Sequence, residues 1–200
     1  MLKLYAGLKL PTLTSIANAK QKIRKIIAAS HVPEDPRHAD NTLEWLLHLA
    51  PNASDSLQLA ALAHDIDRAI DESKVKREQF DDFNVFKEAH AHNSVIILRP
   101  ILTACSLEKD VVDEACRLVE LHEVGGDLKS DLIKDADSIS YFDVNLPLYY
   151  KREGLDETKR RSLWGYQRLS PRAKEIVKRI VYENKTLTHL LKAVINESSN

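Results

Sequence analysis

The chain's 200 residues are 44% hydrophobic and 6% aromatic, enough for a substantial core and consistent with one domain spanning 1–200. Its 29 lysines and arginines against 30 aspartates and glutamates leave a formal charge of −1, which excludes a surface that binds polyanions throughout, so nucleic acid is not an expected partner. No apolar run approaches the roughly 20 residues that span a bilayer, and MLKLYAGLKLPTLTS is too short and polar for a secretory signal; the expectation is a soluble cytoplasmic protein with no membrane partner.

Five glycines and the lack of period-two alternation leave strands without support, so the reading is all-α, with roughly seven to nine helices and no significant sheet. The first helix is expected over 14–29, with Ile16, Ile23, Ile26 and Ile27 on one stripe, stopped by the segment from Pro33 to Pro36. The second starts near Pro36, carries Leu43, Leu46 and Leu47, and breaks at Pro51. Ser54 or Asp55 caps a third, whose residues Leu57, Leu59, Ala60, Leu62 and Ala63 are apolar nearly all round, as in a central buried helix ending at His64. Residues 67–83 turn polar and mixed in charge, the composition of a mobile lid.

Helical pattern resumes over 84–98, ends at Arg99 and Pro100, and restarts over 108–122 before the stop signal Gly125 and Gly126. Further helices are expected over 130–150, with a kink at Pro147, then 156–169, then 171–195. The last carries Ile176, Val177, Ile180 and Val181, a stripe suited to the core or to a second copy in a homodimer. Cys105 and Cys116 have no partner at zinc-knuckle or disulfide-framework spacing and read as reduced core thiols.

The residues that demand a chemical account are His38, the pair His64 and Asp65, His90, His92, His122, Asp135 and Asp137. An aspartate at the end of an apolar helix is costly unless paired or metal-bound, and His122 ends an apolar stripe of its own that points inward. Imidazole mixed with carboxylate suits manganese, iron, nickel or zinc better than magnesium, which remains possible. A hydrogen-bonded buried polar network is the alternative for the same set. His31, His48 and His189 read as ordinary surface polar side chains.

The stretches RHADNTLEWL, LAALAHDIDRAI and LIKDADSISYF give the order His, His-Asp and a distant Asp, which resembles the HD-domain superfamily of metal-dependent phosphohydrolases, in a less characterised branch. The resemblance covers about 36–150, with the helices of 156–195 packing on that core. It implies an HD-like bundle in which His38, His64, Asp65 and Asp137 ligate one metal ion. Branches with two further histidines hold two ions, for which His90 and His122 are the candidates; His92 is the alternative to His90, since residues two apart on a helix diverge by about 200°. Between one ion and two, the sequence leaves the choice open.

The implied chemistry is hydrolysis of a nucleotide or another small phosphate ester by metal-activated water, with Asp65 or Asp135 orienting the water and a histidine such as His92 protonating the leaving oxygen. Arg68, Lys76, Arg77 and Arg37 are candidates for gripping the phosphate, and Tyr141, one turn beyond Asp137, offers a hydroxyl. A diiron oxygenase with the same ligand order, and a nucleotide-sensing module without turnover, are the rival readings.

Overall fold

A computed structural model describes residues 14–198. The segment weighed as a secretory signal lies outside the described residues except for Thr14 and Ser15. Among the described residues the chain is all-helical, with nine separate α-helical runs, one of them interrupted by a π-helical turn, two short 3-10 turns and no strand.

Helix α1 (Ser15–Ile27) is capped by the Thr14 hydroxyl accepting from the Ala17 N–H, and buries Ala19, Ile23 and Ile27. Helix α2 (Asp35–Leu49) has a proline in its first turn, where the missing N–H costs nothing. Helix α3 (Asp55–Ala63), capped by Ser54, is the centre of the fold and packs against α1, α2, α5 (Lys109–Glu120) and α6 (Leu128–Ser140). Leu59, Ala60, Ala61, Leu62 and Ala63 are all fully buried, so the all-round apolarity of this helix reflects neighbours on every side. Beyond it the chain makes a short 3-10 turn (Ile66–Ala69) and a second one (Arg77–Gln79) before helix α4 (Phe83–Thr103).

Three boundaries differ from the sequence expectation. Helix α4 runs through Pro100, where the proline sits one turn before the end and on the exposed side, so a single interior hydrogen bond is forgone without breaking the helix. The expected helix over 130–150 is α6, then a π-helical turn (Tyr141–Asn145), then α7 (Leu146–Glu153); Pro147 falls in the first turn of α7, where it needs no donor, and the distortion precedes it. After α8 (Leu155–Gln167), the stretch expected as one helix over 171–195 is two, α9 (Pro171–Val177) and α10 (Lys185–Glu197). The apolar stripe divides accordingly, with Val177 fully buried and Val181 82% exposed in the connection.

The buried apolar side chains form one cluster reaching from α1 to α10. Cys105 and Cys116 are buried free thiols within it, as expected. His31, His48 and His189 are exposed.

Gly125 holds the turn between α5 and α6 at φ +73°, its N–H donating to the Leu121 carbonyl at 2.7 Å. A Cβ there would lie 2.1 Å from Asp131 Oδ1 as well as in the left-handed region. Gly125→Ala is expected to lower stability by about 1–2 kcal/mol, read as a shift of the urea midpoint with unchanged slope.

Candidate metal centre

Three helices deliver side chains to one point. His38 comes from the second turn of α2, His64 caps the C-terminus of α3, Asp65 follows it, and Asp137 projects from α6, against which α2 packs. His38 Nε2 lies 3.2 Å from His64 Nε2, 3.1 Å from Asp137 Oδ1 and 3.7 Å from Asp65 Oδ2. His64 Nε2 lies 3.5 Å from Asp137 Oδ1 and 3.6 Å from Asp65 Oδ2. An ion with donors about 2.1 Å away has donor-to-donor edges of about 3.0 to 3.4 Å; His38, His64 and Asp65 lie near that spacing, and Asp137 Oδ1 approaches both imidazoles.

The outward nitrogens decide what the inward ones offer. His64 Nδ1 faces the Ala61 carbonyl at 2.9 Å, which can only accept, so Nδ1 carries the proton and Nε2 a lone pair. His38 Nδ1 lies 2.8 Å from Ser140 Oγ, whose own hydroxyl donates to the His38 carbonyl, and the same tautomer follows. Two imidazole lone pairs therefore face each other beside two carboxylates, an arrangement that repels unless a cation, a proton or a metal ion lies among them. Burial alone lowers the His64 pKa, but the charges of Asp65 and Asp137 outweigh it and raise it to about 9. Burial likewise pushes Asp65 and Asp137 upward, and the neighbouring imidazoles, with Arg68 at Asp65, reverse this and hold both well below the usual carboxylate range.

A second donor set adjoins the first through the other oxygen of the same aspartate. His90 Nε2 lies 2.7 Å from Asp65 Oδ1, and His122 Nε2 lies 3.9 Å from it. His122 Nδ1 donates to the Val119 carbonyl at 2.7 Å, so its buried Nε2 holds a lone pair that makes no hydrogen bond, 3.1 Å from Glu123 Oε1. His90 Nδ1 is tied to Asp67 Oδ2 at 2.8 Å, and Asp67 also accepts from the Val75 N–H and from Asn93. Asp65, His90, His122 and Glu123 could hold one ion, and His38, His64 and Asp65 another. Each of the four histidines thus presents Nε2 inward and has Nδ1 fixed by a carbonyl, hydroxyl or carboxylate, the support that metal-ligating histidines require.

The remaining expectations separate. Arg68 is at the site, donating to Asp65 Oδ2 at 2.7 Å and reaching Asp35 Oδ1 at 2.8 Å. Tyr141 is buried with its hydroxyl 3.2 Å from Ser162 Oγ, and lines the chamber over the ligands. Asp135 is not at the site: two residues before Asp137, it points to the other side of α6 and accepts from the Ser170 N–H at 2.9 Å and its hydroxyl at 2.5 Å, anchoring the start of α9. His92 is likewise turned away by its two-residue offset from His90; it is exposed and 3.1 Å from Glu120. Arg37 lies on the outer face of α2 in a bidentate pair with Glu44 at 2.7 and 2.9 Å. Lys76 and Arg77 are exposed on a shallow groove to one side, where Arg77 lies over the rings of Phe83 and Phe86. The segment read as a lid is held at its root by Asp67.

Sequence reasoning passed over Asp67, Lys87, Glu123 and Arg161. Asp67 and Glu123 sit two and one residues from ligand candidates, so proximity was a usable signal; nothing local marks Lys87 or Arg161. The donors open on a polar chamber of about 70 Å³ and, beside it, a cleft of about 610 Å³. Arg68, Lys87, Tyr149 and Arg161 line both. Phe83, Phe86 and Trp164 add aromatic surface to the cleft. Arg161 makes no ion pair among the described residues and stacks on the rings of Tyr141 and Trp164, 4.7 and 4.6 Å from their centroids.

The fold and the site together define a helical bundle with two buried histidine and carboxylate donor sets joined at one aspartate, beneath a cationic and aromatic cleft. The chain belongs to DUF4202, a domain of unknown function, whose family model matches residues 12–190. No curated protein and no solved structure matches it.

Asp135→Ala is expected to destabilise the protein by about 1–3 kcal/mol through loss of the buried bonds to Ser170, while leaving the number of manganese ions bound unchanged. Asp137→Ala is expected to lower that number. Denaturant titration and elemental analysis on the same preparations separate the two.

Proposed function

We propose that this protein is a metal-dependent phosphohydrolase of the HD type, acting in the cytoplasm on a nucleotide or another small phosphate ester. The observation that carries the reading is the pair of lone-pair nitrogens, His38 Nε2 and His64 Nε2, 3.2 Å apart beside Asp65 and Asp137, beneath a chamber lined by Arg68, Lys87 and Arg161. His38, His64, Asp65 and Asp137 would hold one divalent ion, and Asp65, His90 and His122 a second. The donors are of the kind manganese, iron, nickel and zinc take. Such ions, when bound, lower the pKa of water toward neutrality and neutralise charge on a phosphoryl group.

The chain's own side chains supply the rest. Arg161, which makes no ion pair among the described residues, lies over the rings of Tyr141 and Trp164 and can offer its N–H groups to phosphate oxygens. Arg68 is anchored on Asp35, so it keeps its place beside Asp65 and screens the repulsion between that carboxylate and an incoming anion. The aromatic faces of Phe83, Phe86 and Trp164 take the flat or apolar remainder of the ester, which favours a nucleobase over an aliphatic chain. In the form with one ion bound, His90 is hydrogen-bonded to Asp65 and Asp67, which raise its pKa against the downward pull of burial, and it is the side chain that protonates the departing oxygen. The reduced, buried Cys105 and Cys116 agree with a reducing compartment.

Manganese- or nickel-loaded protein is expected to release inorganic phosphate from some members of a panel of phosphorylated metabolites. His64→Ala should lose more than the roughly 10- to 100-fold that Asp67→Asn, a change to a supporting partner, causes, with the helical circular dichroism of both retained. Arg161→Met should raise KM about 10- to 100-fold with a smaller change in kcat. Undiminished phosphate release by His64→Ala, or dioxygen uptake by the iron-loaded protein with no phosphate released from any substrate, would overturn the proposal.

A further inference from the structure

The second donor set contains a charge conflict that bears on how many ions the protein holds. Glu123 is buried, its side chain 3% exposed, in a site already furnished with two cations. Arg168 Nη1 donates to Glu123 Oε2 at 2.6 Å, while its Nη2 donates to the Glu123 carbonyl at 2.6 Å. The other carboxylate oxygen, Oε1, is the one that faces His122 Nε2, and Lys87 Nζ is in direct contact with that same Oε1. Lys87 lies one helical turn before His90 on α4 and lines both the chamber and the larger cleft, so its ammonium has a second, wetter place to go.

We propose that Glu123 is a ligand of the second ion position, together with Asp65, His90 and His122, and that the ammonium of Lys87 is a built-in competitor for it. The inference rests on the metal-binding reading above and extends it in a direction the HD resemblance does not supply. Arg168 satisfies Glu123 Oε2 and leaves Oε1 to the cation, whichever cation that is. With Lys87 against Oε1, a divalent ion among the same donors meets an uncompensated positive charge a few ångströms away. The two do not coexist there. At the first position, made by His38, His64, Asp65 Oδ2 and Asp137, Arg68 also donates to a ligand oxygen, Asp65 Oδ2 at 2.7 Å, but its charge is answered by Asp35 at 2.8 Å, and among the described residues no lysine or arginine pairs with Asp137. The protein therefore takes one ion tightly and a second weakly, and the second enters as Lys87 swings toward the cleft.

Manganese binding to metal-stripped protein, followed by the electron paramagnetic resonance signal of the free ion, tests this without an activity assay. The wild type should show one tight and one weaker equivalent. Lys87→Met should tighten the weaker equivalent by about tenfold or more, the scale of one unit charge removed at close range in a medium of intermediate dielectric, and leave the first unchanged. Lys87→Arg, which keeps the charge, should behave as the wild type, and Glu123→Gln should retain the first equivalent only. Two equivalents in Glu123→Gln with wild-type affinities, or a first equivalent followed by a second that is indifferent to Lys87→Met, would overturn the competition and leave the first site standing. Should Lys87→Met fail to fold, the Glu123→Gln count alone decides whether Glu123 is a ligand, and an unaltered count rejects the proposal. Binding of no manganese by folded wild-type protein would instead overturn the metal reading itself, and this inference with it.

Discussion

Asp65 is the residue on which both donor sets depend, because its two carboxylate oxygens face opposite ways. Oδ2 looks toward His38 and His64, and Oδ1 toward His90 and His122. Its side chain is only 11% exposed, so its charge is costly unless answered. Arg68 answers it from the chamber side and is in turn steadied by Asp35, a buried acid whose carboxyl burial pushes up in pKa and Arg68 draws partly back. The position follows from the fold. Helix α3 is buried on every side, so the residue just past its C-terminus emerges in the middle of the molecule and not at its surface.

Against that constraint, the parts of the site legible from sequence are those that apolar periodicity frames. His64 and Asp65 end an apolar run, His122 ends another, and Asp137 lies among Ile133, Ala136 and Ile139, so in each case neighbouring core residues fix the direction of the side chain. The residues misread are those for which helical phase was ambiguous. Asp135 and Asp137 flank one alanine, and both are buried, but α6 has neighbours on two sides: Asp137 faces α2 and the site, while Asp135 faces α9. Burial cannot tell these apart, and a pattern of apolar residues reports burial alone. For His90 and His92 the neighbours did help, since Ser94, one turn after His90, is fully buried and His92 shares its face with solvent.

The cations were the least legible part. Arg37, Lys76 and Arg77 were favoured by proximity in the chain to the first ligand and to the polar segment after the second, yet Arg37 is held by Glu44 on the surface and the two others lie along a side groove. The side chains that do line the chamber, Lys87 and Arg161, come from helices whose approach is a tertiary matter. A near-neutral total charge hid them as well, because the chain as a whole is balanced while the cleft gathers Arg68, Lys87, Arg160 and Arg161 against Glu157. Local concentration of one sign in a low-dielectric cleft governs which small ligand enters, and a sum over all residues does not see it.

The π-helical turn after α6 shows how closely backbone geometry serves the chamber. Asp137, Tyr141 and Asn145 all line it, at successive steps of four residues. In an α-helix a step of four turns the chain about 400°, overshooting a full circle by about 40°, so two such steps would carry Asn145 well off the face that Asp137 occupies. The π-turn spans Tyr141–Asn145, and its wider winding makes the second step fall short of a full turn where the first went beyond it. The two errors oppose, and the third residue returns to the azimuth of the first. A hydrogen-bonding distortion that would weaken an ordinary helix thus keeps three polar side chains on one line above the donors, and Pro147, in the first turn of α7, lets the regular helix resume where its missing N–H does no harm.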